Sequence, residues 1–306
     1  MRPDAQSFDH AFDSQAGRDL AWALHSPSLM DHERSVSERW GARELARNQG
    51  LAARLDKPDS PLHRALRERQ IDRLGEYFER LVVTWLEYLP PATLLGANEQ
   101  VHRADGTLGE FDVVFRRDGV VHHWELAVKF YLGFTGPNGT SAWYGPNPVD
   151  KLGAKWRRML RHQLRLSQTS AGRRVLEDLG VGSDEDVEAS ALIRGYFFDP
   201  LDDYRAEDHP DANERAVRGW WVHRDRLEAH VDRLDPDGDL RWMRLSGLRW
   251  MSPARADERD NLYDLEALAR FLHPNRPSLV AGLADTDRGL REVTRGFVVP
   301  DGWPRG

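Results

Sequence analysis

The chain has 306 residues, no cysteine and a formal charge of -7. Its length allows one large domain or two ordinary ones, and the missing thiols exclude disulfides, thiolate metal sites and cysteine nucleophiles. The acidic balance argues against a general nucleic-acid coat; with no apolar run near ~20 residues and no signal-peptide core in "MRPDAQSFDHAFDS", we expect a cytoplasmic protein that does not enter membranes.

Residues 16–90 read as helical. In "SPLHRALRERQIDRLGEYFERLVVTWLEYLP", Leu74, Phe78, Leu81, Val82, Trp85 and Leu89 recur at helical spacing; Ser60-Pro61 supplies a start and Pro90-Pro91 a stop. Strand signals occupy 93–132. The Gly- and Pro-rich segment 133–148, "GFTGPNGTSAWYGPNP", reads as an ordered loop, 149–167 as a basic helix, "EDLGVGSDEDVEAS" as solvated surface, and "ALIRGYFFDP", 191–200, as a buried strand. The remainder mixes short strand-like and helical pieces and holds many of the eleven tryptophans, which we read as core packing. With no repeat and no clean linker, a single domain is expected: a helical N-terminal extension (1–60), an α/β core (61–200) and a Trp-rich α+β part packed on it (201–306).

Within the strands, "GEFDVVFRRDGVVHHWELAVKF" (109–130) carries acids where a sheet interior least accepts them. Asp118-Gly119 between apolar runs is a type I′ hairpin signal. If Arg117 pairs with Val120, Asp112 lies opposite Glu125 and Glu110 opposite Ala127. The 112/125 pair then falls on a non-hydrogen-bonded position, with Cα atoms about 4.5 Å apart. Alternation places Phe111, Val113, Phe115, Trp124, Leu126, Val128 and Phe130 on one face and Glu110, Asp112, His123, Glu125, Ala127 and Lys129 on the other. A wet amphipathic hairpin is the ordinary reading of such a pattern. Directly opposed like charges are destabilising, however, and a divalent cation between them turns repulsion into binding. Lys129, one of only four lysines with Lys57, Lys151 and Lys155, shares that face and could stabilise charge developing on an attacked phosphate.

These residues resemble the core of the PD-(D/E)XK nuclease superfamily. Asp112 matches its first acid and Glu125 the acid of its Glu-x-Lys; the lysine is displaced, because the residue two after Glu125 is Ala127 and the lysine is Lys129. The resemblance implies a restriction-endonuclease-like fold, a mixed sheet flanked by helices. It further implies that Glu79, in "RLGEYFERL", completes the acidic set from a helix, and that Gln163 stands near the site. Across nearly the whole chain "RDLAWAL", "GEFDVVF", "HHWELAVKFYLG", "RHQLRLS", "RGYFFDP", "RGWW" and "LRWMSPA" are similar, in order, to the domain of unknown function 1853 family, which implies a nuclease-like fold without supplying an activity.

On the helix from 149, Lys151, Lys155, Arg158, His162 and Arg165 form one basic stripe, read either as a solvated face or as a phosphate track. Phe134, Trp143 and Tyr144 read as packing in preference to base stacking, and His123 as a hydrogen-bonded surface histidine. No phosphate-binding glycine loop, nucleophile elbow or His-Glu-x-x-His occurs.

The expectation is a Mg²⁺- or Mn²⁺-dependent phosphodiesterase acting on DNA or another nucleic acid. Asp112, Glu125 and Glu79 hold the metal, Lys129 aids the chemistry, and Lys151, Lys155, Arg158, His162, Gln163 and Arg165 meet the substrate. A binding module without turnover and an assembly protein are the alternatives.

Overall fold

The computed structural model describes residues 12–68, 71–104, 106–202, 205–257 and 260–304. Its first half runs α1 (Gln15–His25), α2 (Glu38–Arg47), α3 (Gln49–Leu55), α4 (Pro61–Arg67), α5 (Leu74–Tyr88), β1 (Thr93–Arg103), β2 (Gly106–Arg117), β3 (Val120–Thr135), β4 (Ser141–Tyr144) and α6 (Leu152–Arg161). After a 3-10 turn at Gln163–Gln168 come α7 (Ser170–Asp178), β5 (Val187–Pro200), β6 (Val217–His223), α8 (Val231–Leu234), β7 (Arg241–Arg244), α9 (Leu265–Phe271), β8 (Ser278–Ala284) and β9 (Arg291–Val299). The architecture is α/β, with a mixed sheet flanked by helices. Among the described residues no helix is long and apolar enough to cross a membrane.

The chain divides into two compact units, 1–128 with 154–195 and 211–216, and 129–153 with 196–210 and 217–306. Strands β3 and β5 begin in the first unit and end in the second. In unit 1, Ser14, Ser37 and Ser60 cap α1, α2 and α4, each hydroxyl accepting a first-turn backbone N–H. Helix α5 packs on β1 and β2 and buries Phe78, Leu81, Val82, Trp85 and Leu86. The 3-10 turn and α7 lie against the same strands, where Leu166 and Leu176 meet Val101, Phe111, Val114 and Val121. In unit 2, β5, β6 and β9 pair in parallel, and β8 then β7 continue antiparallel. Trp220 and Trp242 pack there with Leu265 and Leu268 of α9.

Three elements differ from the sequence reading. The helix expected to run from Ser60 to Leu89 is two helices. It begins at the Ser60 cap as expected, but the charged run "RERQ" offers no apolar stripe to bury, so α4 stops at Arg67; residues 69 and 70 lie outside the described residues. The loop expected at 133–148 is largely a hairpin, with β4 pairing on β3 from Leu132↔Tyr144 to Thr135↔Ser141. Gly133 serves close packing rather than a turn, since a Cβ there would lie 2.9 Å from both Ala206 and the Trp143 ring. The basic helix is shorter than expected, because His162 leaves helical geometry (φ -123°) and the chain tightens into the 3-10 turn.

Candidate active site

The turn between β2 and β3 is as the sequence dictates. Asp118 and Gly119 both have positive φ (50° and 81°), and the register runs from Arg117↔Val120 to Val113↔Trp124. Beyond Val113 the regular ladder stops, yet the Asp112 and Glu125 carboxyls meet, as expected, in a side-chain hydrogen bond. The Asp112 side chain replaces a main-chain acceptor, with Oδ2 taking the Leu126 N–H at 2.7 Å. The irregularity also turns Phe111 to the His123 side, where the rings meet edge-on at 4.7 Å, rather than to the face of Trp124.

Nor is the polar face wet. Glu125 and His123 are both 0 % exposed, which corrects the reading of His123 as a surface residue. They are covered because α6 and the 3-10 turn lay side chains over β3. Gln163 Nε2 donates a short hydrogen bond to Glu125 Oε2, and Gln163 Oε1 accepts from Lys155 Nζ at 3.3 Å. On the other oxygen, Glu125 Oε1 meets His123 Nε2 at 2.9 Å. Burial pushes the His123 pKa down to about 4, so this contact is a hydrogen bond from a neutral imidazole, not an ion pair. The remaining ring atom, Nδ1, is buried without a hydrogen-bond partner.

Three carboxyls share this environment. Glu125 is raised to about 7 by burial, against the Lys155 charge and the hydrogen bonds from Gln163 and Asp112. Asp112 is likewise raised to about 7, by burial and then by the charge of Glu125, with the Leu126 N–H and His123 opposing. Glu79, projecting from α5, is raised to about 7 by burial and then by the charges of Asp112, Glu110, Glu76 and Glu125. A cleft of about 530 Å³ opens beside Glu79, with Arg73 and Arg80 on its walls.

The structure thus brings Asp112, Glu125, Glu79, Lys155 and Gln163 together. Two of the expected residues have other partners. Lys129 and Lys151 belong to unit 2, where Lys129 Nζ is 2.6 Å from Asp150 Oδ2 and Lys151 Nζ lies 5.4 Å from the centre of the Tyr144 ring. The lysine that faces the acids is Lys155, which the sequence reading assigned to the basic stripe. That stripe is accordingly broken. The outward basic surface of α6 is instead Arg157, Arg158, Arg161 and His162, all exposed around a second depression of about 530 Å³. Arg165 is exposed on the 3-10 turn. Trp143 is packing, as expected, with its Nε1–H on the Glu207 carbonyl at 2.8 Å.

A family model described as a domain of unknown function, DUF1853, matches residues 18–299. The chain belongs to the DUF1853 family. No curated protein and no solved structure matches this DUF1853 chain.

In kind, the donor set fits a divalent cation such as Mg²⁺. It consists of hard carboxylate oxygens whose mutual repulsion is met by a single lysine. Among the described residues no three His, Asp or Glu side chains are already converged on one metal position. No hydrogen bond within the described residues holds the Glu79 carboxyl.

Proposed function

We propose that this DUF1853 protein hydrolyses phosphodiester bonds in nucleic acid with the help of Mg²⁺ or Mn²⁺. The observation that carries this reading is the gathering of Asp112, Glu125 and Glu79, each carboxyl destabilised as an anion by burial and, at Asp112 and Glu79, by the charges of neighbouring acids. Such a cluster gains by exchanging protons for a dication.

Asp112 and Glu125 would hold the cation from the sheet and Glu79 from α5. When bound, it would lower the pKa of a water and neutralise charge on the phosphate. The chain's own part is positional and electrostatic. Gln163 fixes both Glu125 Oε2 and Lys155 Nζ, so the ammonium is held where negative charge would develop. His123 orients the other Glu125 oxygen without adding a charge. Arg157, Arg158, Arg161 and His162 would meet flanking phosphates, giving affinity that falls steeply with salt. Lys129, tied to Asp150, has no part in this version of the chemistry.

Purified protein should cleave DNA or RNA with Mn²⁺ or Mg²⁺, and Glu125→Gln should abolish cleavage while remaining folded. Cleavage that persists in Glu125→Gln would refute the assignment. The binding-module reading draws on the absence of a converged three-ligand position among the described residues. It requires salt-sensitive binding and no turnover with either metal.

A further inference from the structure

Unit 2 contains an open surface cavity of about 730 Å³, in volume larger than the two depressions of unit 1, with Pro137, Gly139, Asp301 and Gly302 exposed at its rim. Its walls include Phe134, Pro137, His223, Asp301 and Trp303, with glycines between them. The sequence reading assigned Phe134 to packing, and no part of the chemistry above uses this cavity.

Several donors of the lining are already used within the protein. Pro137 has no N–H. The Gly136 and Gly139 N–H groups close the loop on itself, donating to the Thr140 and Gly136 carbonyls at 2.9 Å each. The Trp303 backbone N–H donates to Pro300 O at 2.9 Å and its Nε1–H to Pro146 O at 3.3 Å. His223 Nε2 lies 2.8 Å from the Trp303 carbonyl, which can only accept, so Nε2 carries a proton that is used within the protein. Asp301 accepts the Asp225 N–H through Oδ1 at 3.0 Å, and among the described residues its Oδ2 makes no hydrogen bond. The Gly136, Gly139 and Trp303 donors are consumed inside the protein, while the Asp301 carboxylate remains.

The apolar walls are electron-rich. Phe134 and Trp303 meet edge to face at 6.3 Å, and Tyr144 packs edge-on to both. That ring cluster already seats one cation on its Tyr144 side, Lys151 Nζ. Aromatic rings beside a carboxylate suit a flat or compact organic cation and disfavour a phosphate.

We propose that this cavity binds a guanidinium or alkylammonium group, with Asp301 as counter-ion and Phe134 and Trp303 as aromatic walls. The group could belong to a free small molecule or to an arginine or lysine side chain of another protein. Isothermal titration of the full chain with methylguanidinium chloride and with an end-blocked Gly-Arg-Gly peptide, followed also by tryptophan fluorescence, tests it. Saturable binding should weaken roughly tenfold or more in Asp301→Asn, which keeps Oδ1 for the Asp225 N–H but loses the charge. Phe134→Leu, which preserves an apolar wall without a π face, should weaken binding by about three- to tenfold. A tighter peptide assigns the site to a protein side chain, and a tighter small cation assigns it to a free ligand. Binding of neither probe, equal affinity in Asp301→Asn, or displacement by inorganic phosphate would overturn the proposal. Nuclease assays do not enter the test, so it stands or falls apart from the carboxylate site.

Discussion

Asp112→Asn should make the protein more stable at pH 8, by clearly less at pH 5, and leave it nearly unchanged only below the ordinary carboxylate pKa. The carboxyl rises from its ordinary 3.8 to about 7 on folding, through burial and the charge of Glu125. A group whose folded pKa is raised holds its proton more tightly in the native state. Its contribution to stability is therefore complete below the unfolded pKa and disappears as pH climbs through the folded one. At about 1.36 kcal/mol per pH unit, the rise corresponds to roughly 4 kcal/mol, part of it repulsion shared with Glu125, so we expect about 2–4 kcal/mol of relief from the neutral isostere. The amide oxygen can still accept the Leu126 N–H, which keeps the local backbone in place. Urea unfolding of both proteins at pH 5, 6, 7 and 8 measures the difference. Free-energy curves that run parallel across this range would refute the electrostatic account. Mg²⁺ gives the complementary reading. At pH 8 and a hundredfold above its dissociation constant it should stabilise the wild type by about 2.7 kcal/mol, and the variant by clearly less.

Lys155→Met should lower cleavage by at least ~100-fold and Lys129→Met by far less, compared as kcat/KM on one oligonucleotide. Because Lys155 is the cation that opposes the rise of Glu125, its loss should also move the acidic limb of the pH–rate profile upward. Replacing Arg157, Arg158 and Arg161 together by Ala should reduce the slope of log K against log salt by about 2–3 on DNA, read by fluorescence anisotropy. Arg194 is 0 % exposed and donates to the carbonyls of Ala23, Leu24 and Val36 at 3.0–3.2 Å, closing the C-terminal end of α1. Arg194→Met leaves those acceptors unsatisfied and should cost about 3–5 kcal/mol in urea unfolding, with little change in the pH profile of activity.

Several features could be read from the residues because their causes are local. Asp118-Gly119 can bend only where two successive residues accept positive φ, and that bend carries the register through Val113↔Trp124. Ser60 before Pro61 caps a helix for reasons contained within four residues. Alternation correctly put Glu125 and His123 on one face of β3.

The environment of that face lay beyond any local rule. Whether Glu125 meets water or Gln163 depends on an element 38 residues away folding back over the strand. The helical stripe containing Lys155 has the same spacing whether it faces solvent or a carboxylate. Lys129 occupies a favourable strand position, yet its nearest counter-charge is Asp150, 21 residues on. Gly133 looks like a loop residue until Trp143 is laid across it. The sequence by itself determined the bend, the helix starts and the placing of acids along the strands, since steric limits and side-chain period act between near neighbours. Only the tertiary structure decided which acids are dry, which lysine faces them and where the aromatic cavity opens, because burial and Coulomb forces depend on groups that folding alone brings within reach.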